Sequence, residues 1–195
     1  AAQELSPELV KVILTSSSQY LNRQILKNGK FIYGYFPPYH ATMTSYNILR
    51  HTGTLWSMMC AYEVTEDDSL IETVNKAIGY LLTQIIYMDD ETAFVVEKKS
   101  NEIKLGGNGV AITALSKHME VFGNQNFTEI IRKLANGILY MQNKETGKMT
   151  HVLNSDDYTV KEETRTVYYD GESSYALIKA YDVSNDAKYL EAARL

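Results

Sequence analysis

The chain has 195 residues, of which 45% are hydrophobic and 22% charged, so it is long enough to bury a sizeable core. Its formal net charge of -5 argues against a nucleic-acid partner, because phosphate binding requires a concentrated basic surface. No apolar run approaches the roughly 20 residues of a membrane-spanning helix.

Cysteine usage and motifs give no sign of a cofactor. The single Cys60 excludes an intrachain disulfide. No Cys/His cluster has metal-site spacing, and the glycine-rich run 106–109 lacks the Lys-Ser/Thr of a phosphate-binding loop. We therefore expect no metal and no other cofactor.

The chain begins Ala1-Ala2-Gln3, which fits a trimmed chain as well as a mature end left by signal cleavage, so cytoplasmic and exported locations both stay open.

The first predicted elements are a helix and a strand. Ser6-Pro7-Glu8 is typical of a helix start, and Asn28-Gly29 of the turn that follows a helix. The alternating aromatic stretch 30–36 then predicts a short strand, which Pro37-Pro38 ends.

An inner and an outer helix follow. The segment 52–64, which contains Trp56, is apolar nearly all round and therefore predicts a helix covered on every side. From Leu70 to Ile85 the apolar residues mark a single helical face, which predicts an amphipathic outer helix. The two helices form a hairpin.

The same design recurs twice along the chain. Residues 94–105 predict a β-hairpin, and residues 109–122 and 171–183 predict two further inner helices, each followed by an outer one. We expect strands only in short pairs near 31–36, 94–105 and 149–169. The inner helices predict a set of buried residues: Leu55, Met58, Met59, Val110, Ala114, Leu177 and Ile178.

The repeat aligns without gaps at offsets of 57 and 119 residues, and a unit of roughly 60 residues is typical of repeat architectures. His51, Asn108 and Asp170 occupy equivalent positions, each just before the first small residue of an inner helix. The chain stops inside the third outer helix, so we expect a protein truncated at its C-terminus.

Inner and outer helix pairs fed by short β-hairpins resemble the (α/α) toroids of the six-hairpin glycosidase-like superfamily. The run 46–54, Tyr-Asn-Ile-Leu-Arg-His-Thr-Gly-Thr, looks like their first inner helix, and the segments 168–177, 180–183 and 188–193 look like a hairpin common in bacterial members. The resemblance implies an all-α, toroid-like repeat in one domain, 1–195. About three hairpins fit this length, which implies an incomplete ring.

The inner-helix N-termini are the predicted site. They converge at one end of a toroid, where helix dipoles favour anionic or hydroxyl-rich ligands, so His51, Asn108 and Asp170 are expected to line a shared mouth. Asn and Asp are also good helix N-caps, and capping alone would explain Asn108 and Asp170.

Two carboxylates flank Gly171, and we expect them close together on a tight turn. Glycoside chemistry uses one carboxyl as acid and a second as base or nucleophile, which makes Asp170 and Glu172 catalytic candidates. Three further acids are candidates for an opposing carboxylate: Glu163, Asp157 and Glu97. The charged loop 154–165 has a simpler explanation as a solvated surface.

Arg50-His51 is the other candidate pair. His51 suits proton transfer near neutral pH, as on the inner helices of the toroid epimerases, and Arg50 suits carboxylate binding; a hydrogen-bonded core histidine is the alternative for His51. We interpret His118 as structural, and His40 and His151 have no partner visible in the sequence. The remaining predicted substrate-binding residues are Asn108, Tyr39, Tyr169 and Trp56.

The resemblance therefore implies part of a carbohydrate-active enzyme of glycoside hydrolase, lyase or sugar epimerase type, acting on a glycan or uronic acid. The alternative is a non-catalytic α/α module that binds a glycan or a protein. An incomplete ring leaves apolar flanks uncovered, so we expect either self-association or coverage by a missing C-terminal half.

Overall fold

The structure is a computed structural model that describes residues 4–163 and 165–195, with Glu162 described in its backbone only. The starting residues Ala1-Ala2-Gln3 lie outside this part. The chain divides into two compact units, Ala1–Tyr80 and Leu81–Leu195.

The first unit is built on helices. It contains α1 (Pro7–Asn22), a small hairpin of β1 (Tyr35–Phe36) and β2 (Ala41–Thr42), α2 (Ile48–Thr65) and most of α3 (Ser69–Leu82). A short 3-10 turn, Pro37–Tyr39, joins the two strands. Asn47 caps α2 because its side chain accepts a hydrogen bond from the Arg50 amide, at 3.0 Å.

The second unit alternates strands and helices. Its elements in chain order are β3 (Ile85–Tyr87), β4 (Ala93–Glu97), β5 (Glu102–Lys104), α4 (Leu105–Phe122), α5 (Thr128–Tyr140), β6 (Val152–Asn154), β7 (Val160–Glu162), α6 (Tyr169–Ser184) and α7 (Ala187–Arg194). The inner helices α4 and α6 pack against each other, and α5 and α7 lie outside them.

The predicted repeat is visible in the backbone. Helix α4 begins and ends 57 residues after α2, and α6 ends 119 residues after α2. The three inner helices end in the same way, with a left-handed C-cap whose amide donates to the carbonyl four residues earlier: Glu66, Gly123 and Asn185. The three inner helices predicted from the sequence are confirmed, and each begins two to four residues earlier than expected.

The turns between hairpins repeat as well. Gly29 and Gly147 both have positive φ, at 80° and 70°, and each lies in a turn closed by an antiparallel bridge. The bridges join Ile25 to Phe31 and Gln142 to Met149. A side chain at either glycine would meet the backbone of an outer helix or of the residue after it, so both conformation and space favour glycine.

The strand prediction is wrong in one respect. The structure has a five-stranded antiparallel sheet in the order β3-β4-β5-β6-β7, because β5 pairs with β6 through Ile103 and Leu153. Period-two patterns mark individual strands but do not report which strands pair over long sequence separations. The strands are nonetheless short, and the helices remain the main structure.

The burial prediction holds for most of the inner-helix residues. Leu55, Met58, Met59, Ala114 and Leu177 are fully buried. Val110 is only half-buried. The prediction that Ile178 is buried is wrong, since this residue of α6 is 40% exposed. None of the helices in the described part of the chain is both long and apolar enough to span a membrane.

Candidate functional site

His51 lies on the first turns of α2 and is 2% exposed. Its Nε2 is 2.9 Å from the carbonyl oxygen of Ala77 on α3, and its Nδ1 is 2.7 Å from the hydroxyl of Tyr46. The Ala77 oxygen only accepts, so Nε2 carries the proton. The Tyr46 hydroxyl already accepts from the amide of Phe31 and therefore donates to Nδ1. His51 is thus a neutral, fully engaged imidazole.

The surroundings of His51 keep it neutral. Burial lowers its pKa most, the hydrogen bond to Ala77 opposes this, and the charge of Lys30 lowers it further, to about 4. Lys30 lies over the rings of Tyr46 and Tyr80, at 4.9 and 5.2 Å from their centroids. The positive charge beside the Tyr46 and Tyr80 rings is therefore that of Lys30, and His51 is neutral.

Asn108, the equivalent residue on α4, makes the equivalent contact. Its Nδ2 donates to the carbonyl of Leu134 at 2.9 Å, and Leu134 lies 57 residues after Ala77. The same Nδ2 donates to Ala93, and Oδ1 accepts from the amide of Val95 at 2.8 Å. Asn108 is fully buried, so these protein contacts account for its polar atoms. In each of the first two hairpins, one polar residue thus ties the inner helix to its outer helix.

Arg50 precedes His51 and points to a cleft of about 280 Å³ within the first unit. Its Nη1 donates to the hydroxyl of Tyr33 at 2.7 Å, and its guanidinium lies 5.5 Å from the centre of that ring. We call this the Arg50 cleft, and its lining residues are Tyr20, Leu21, Gln24, Phe31, Ile32, Tyr33, Tyr46, Arg50, His51 and Thr54.

Asp170 lies in the first turn of α6, where the structure gives it two partners. Its Oδ1 is 2.9 Å from Nε2 of His151, and its Oδ2 accepts from Nε of Arg165 at 3.1 Å and from the Arg165 Nη2. Burial alone would raise the pKa of Asp170, but the hydrogen bonds and charges of His151 and Arg165 outweigh it and lower the pKa. Asp170 is therefore held as a carboxylate.

His151 was missed by the sequence analysis. Its Nδ1 accepts from the amide of Thr166 at 2.8 Å, so its proton is on Nε2 and points to Asp170. His151 lies just before β6, far in sequence from α6, and only the folded backbone brings the two together. The one signal in the sequence was the run Gly147-Lys148-Met149, which repeats Gly29-Lys30-Phe31 at an offset of 118 residues. This offset places His151 at the position of Tyr33, the partner of Arg50.

A second cleft, of about 330 Å³, opens beside His151 and is called the His151 cleft. It is lined by Lys148, Met149, Thr150, His151, Val160, Glu163 and Arg165. Of the three acids suggested as an opposing carboxylate, Glu163 lines this cleft. Asp157 instead closes a turn by accepting from the amide of Thr159 at 3.0 Å.

Glu172 faces different neighbours from Asp170. A Cβ built on Gly106 of α4 would lie 2.8 Å from Glu172 Oε2, so this oxygen lies close against the glycine and beside the ring of Tyr169. The oxygen is buried and has no hydrogen-bond partner among the described residues. Burial raises the pKa of Glu172.

The expected tight turn between the two carboxylates is wrong. Asp170, Gly171 and Glu172 all lie inside α6, and Gly171 has no positive φ. Residues two apart on a helix do not face each other, which is why Asp170 reaches Arg165 while Glu172 reaches α4. The structure thus gives one carboxyl with a lowered pKa and one with a raised pKa, with different neighbours, in place of a close pair.

The other predicted residues are spread over the two units. Tyr169 is buried next to His151, with 5.6 Å between ring centres, and burial raises its pKa to about 12. Tyr39 is 80% exposed at the end of the 3-10 turn, and Trp56 is partly exposed on α2. Neither Tyr39 nor Trp56 is among the described residues that line the Arg50 cleft.

Metal binding has no visible site in the part of the chain that the structure describes. No group of three or more His, Cys, Asp or Glu side chains there is placed to hold a metal ion.

Comparisons with known proteins give structural matches only. No family model matches the sequence, and no curated protein matches it. A sugar epimerase from a ruminal bacterium matches with a TM-score of 0.76 at 14% identity, over 94% of this chain and 52% of its own. Cellobiose 2-epimerase from Spirochaeta thermophila matches with a TM-score of 0.71 at 13% identity, over 96% and 52%.

A glycoside hydrolase is similar as well. An inactive variant of the α-1,6-mannanase of Salegentibacter sp., in complex with α-1,6-mannotriose, matches with a TM-score of 0.60 at 12% identity, over 96% of this chain and 68% of its own. The chain spans about half the length of the two epimerases. These likenesses confirm the predicted fold, a partial α/α toroid of inner and outer helix hairpins.

Proposed function

We propose that the chain is part of a carbohydrate-active enzyme of glycoside hydrolase, lyase or sugar epimerase type, with its substrate at the inner-helix N-termini. The fold likeness to sugar epimerases and a mannanase supports a saccharide substrate. Fold alone does not fix a reaction, so the proposal rests on the chemistry of α6.

The observation that carries the proposal is the contrast between the two carboxyls of α6. His151 and Arg165 keep Asp170 ionised, whereas burial makes Glu172 hold its proton to higher pH. Environments that push two carboxyl pKa values apart are how glycosidases assign an acid and a base. We assign Glu172 as the proton donor and Asp170 as the carboxylate that stabilises positive charge or activates water.

The other predicted residues take secondary roles in this proposal. In the first unit, Arg50, Tyr39 and Trp56 supply polar and aromatic surface for a sugar. In the second unit, Tyr169 packs beside His151. His51 remains a candidate for proton transfer, although Tyr46 and Ala77 engage both of its ring nitrogens, so it would have to release one of them first. Asn108 would need a similar release.

The second candidate function is a non-catalytic module that binds a glycan in the same place. The engaged state of His51 and Asn108 favours it, because these side chains act as links between helices. The two functions differ in turnover and share saccharide binding.

Turnover of a glycan panel by the chain and its variants tests the enzyme proposal. We expect Glu172→Gln to keep the fold and lower kcat by about 100-fold or more, and Asp170→Asn to lower it similarly. The pH profile should lose activity as pH rises through the raised pKa of Glu172, because the donor is then deprotonated. Saccharide binding with no turnover in the wild type favours the module, and unchanged turnover in both variants overturns the assignment.

A further inference from the structure

Arg50 has no carboxylate partner in the described part of the chain. Its guanidinium carries five N–H donors, and its one hydrogen bond to another described residue is the donation to the Tyr33 hydroxyl. The chain has 24 acidic and 19 basic residues, so acids are in excess, and yet none of the residues that line the Arg50 cleft is acidic. An exposed, oriented and unpaired arginine at the wall of a cleft is suited to an anionic ligand.

The first turn of α2 adds to this positive potential. Arg50 lies three residues after the N-cap Asn47, where the partial positive charge of the helix is concentrated. Lys30 lies close enough to His51 to lower its pKa. His51 itself stays neutral and adds no charge. Its hydrogen-bonded ring forms part of the cleft wall. Helix, arginine and lysine therefore favour the same sign of ligand.

The remaining walls of the Arg50 cleft fit a sugar ring. The rings of Tyr20, Phe31, Tyr33 and Tyr46 line it, and aromatic faces pack well against the C–H faces of a pyranose. The volume of about 280 Å³ is near the lower end of small-molecule sites, which suits a ligand of one or two rings.

We infer that the Arg50 cleft binds a sugar through its carboxylate, so that the substrate class of the proposed enzyme is a uronic acid or a glycan containing one. The inference rests on the proposed function only in taking the ligand to be a saccharide. The guanidinium pairs with the carboxylate through two parallel hydrogen bonds. The Tyr33 hydroxyl and ring hold the guanidinium in place for this contact.

The matched ligands D-glucuronate and D-glucose, which differ at C6, separate charge recognition from sugar recognition. Binding is measured by NMR titration of the chain, with glucose 6-phosphate as a second anionic sugar. We expect D-glucuronate to bind at least tenfold more tightly than D-glucose, with affinity falling as salt rises, because exposed ion pairs are screened.

Variants of Arg50 locate the contact. Arg50→Gln should weaken D-glucuronate binding by about 10- to 100-fold, and Arg50→Lys less, because lysine keeps the charge and loses the paired geometry. Tyr33→Phe should weaken it a few-fold by releasing the guanidinium. Lys11→Gln removes one charge from exposed α1 and should leave binding unchanged. Thermal melts of each variant check that the fold is kept.

The outcomes separate this inference from the proposed function. Equal binding of D-glucose and D-glucuronate, tighter binding of glucose 6-phosphate, or D-glucuronate binding that is insensitive to Arg50→Gln overturns the uronate site and leaves a carbohydrate enzyme standing. Arg50-dependent D-glucuronate binding without turnover of any glycan supports the uronate site and contradicts the enzyme. Absence of binding to every saccharide contradicts both.

Discussion

Two buried polar residues at equivalent positions of the repeat make the same kind of hydrogen bond, from an inner helix to an outer helix. His51 and Asn108 differ chemically, and each donates to an outer-helix carbonyl 26 residues further along the chain. Buried polar groups are stable only when they are hydrogen-bonded, so these contacts fix how each outer helix lies against its inner helix. Asp170, at the third equivalent position, instead hydrogen-bonds to His151 and Arg165.

Asn108→Ala is the direct test of the structural role of this residue. The change leaves the amide of Val95 and the carbonyls of Ala93 and Leu134 without their partner. We expect the free energy of unfolding to fall by about 2–4 kcal/mol, because each buried unpaired group costs about 1–3 kcal/mol. Chemical denaturation measures it. The control Asn126→Ala removes an exposed side chain and should change the value by less than about 0.5 kcal/mol.

The buried state of His51 predicts a pH-dependent stability. Its folded pKa of about 4 lies below the ordinary value of 6.5, so the folded state resists protonation. Stability from this group is therefore full above about pH 6.5 and is lost as pH falls from there towards 4. Between pH 7 and pH 4.5 we expect a loss of about 2 kcal/mol from this residue.

The variant His51→Asn isolates this contribution, because asparagine occupies the equivalent position in the next repeat and does not titrate. Denaturation at pH 7 and pH 4.5 should show a smaller acid loss in the variant than in the wild type. Equal losses in the two proteins would mean that His51 is not held neutral in the folded state.

At the scale of elements, the left-handed C-caps end the inner helices. Glu66, Gly123 and Asn185 share this conformation, which costs a residue with a side chain about 1 kcal/mol or more. Gly123 has open space around it, so a substitution there reports the backbone conformation alone.

Gly123→Ala and Gly79→Ala form a matched pair. Gly79 lies within α3 and also has open space, but its φ is not positive. We expect Gly123→Ala to lower the free energy of unfolding by about 1 kcal/mol, and Gly79→Ala to raise it by about 0.5–1 kcal/mol. The same sign for both would contradict the repeated left-handed caps.

The helices could be predicted from the sequence much more completely than the contacts of the candidate site. Apolar spacing and the 57- and 119-residue offsets located α2, α4 and α6, because packing of an inner helix imposes its period on the sequence. The pairing of β5 with β6 and the contact of His151 with Asp170 join segments 19 or more residues apart. No local pattern encodes such contacts, and Gly171 was taken for a turn when the helix continues through it.

At the scale of the whole molecule, α6 is an inner helix with an uncovered face. Tyr175 and Ile178, three residues apart, are 49% and 40% exposed, while Leu177 is fully buried. Apolar faces of this kind usually mark an interface. We expect the chain to self-associate in a concentration-dependent way in analytical ultracentrifugation, and Ile178→Glu to weaken the association. A monomer at every concentration would contradict this expectation, and Glu120→Lys serves as an exposed charge-change control on α4.

The central claim is that a saccharide binds at the N-terminal turns of inner helices, in the Arg50 cleft of the first unit or in the His151 cleft of the second. A crystal structure of the chain soaked with a panel of neutral and uronic oligosaccharides tests it most directly. We predict sugar density against the first turns of the inner helices, beside Arg50 or in the His151 cleft near Asp170. Sugar density confined to the opposite ends, beside the C-caps Glu66, Gly123 or Asn185, would contradict the claim.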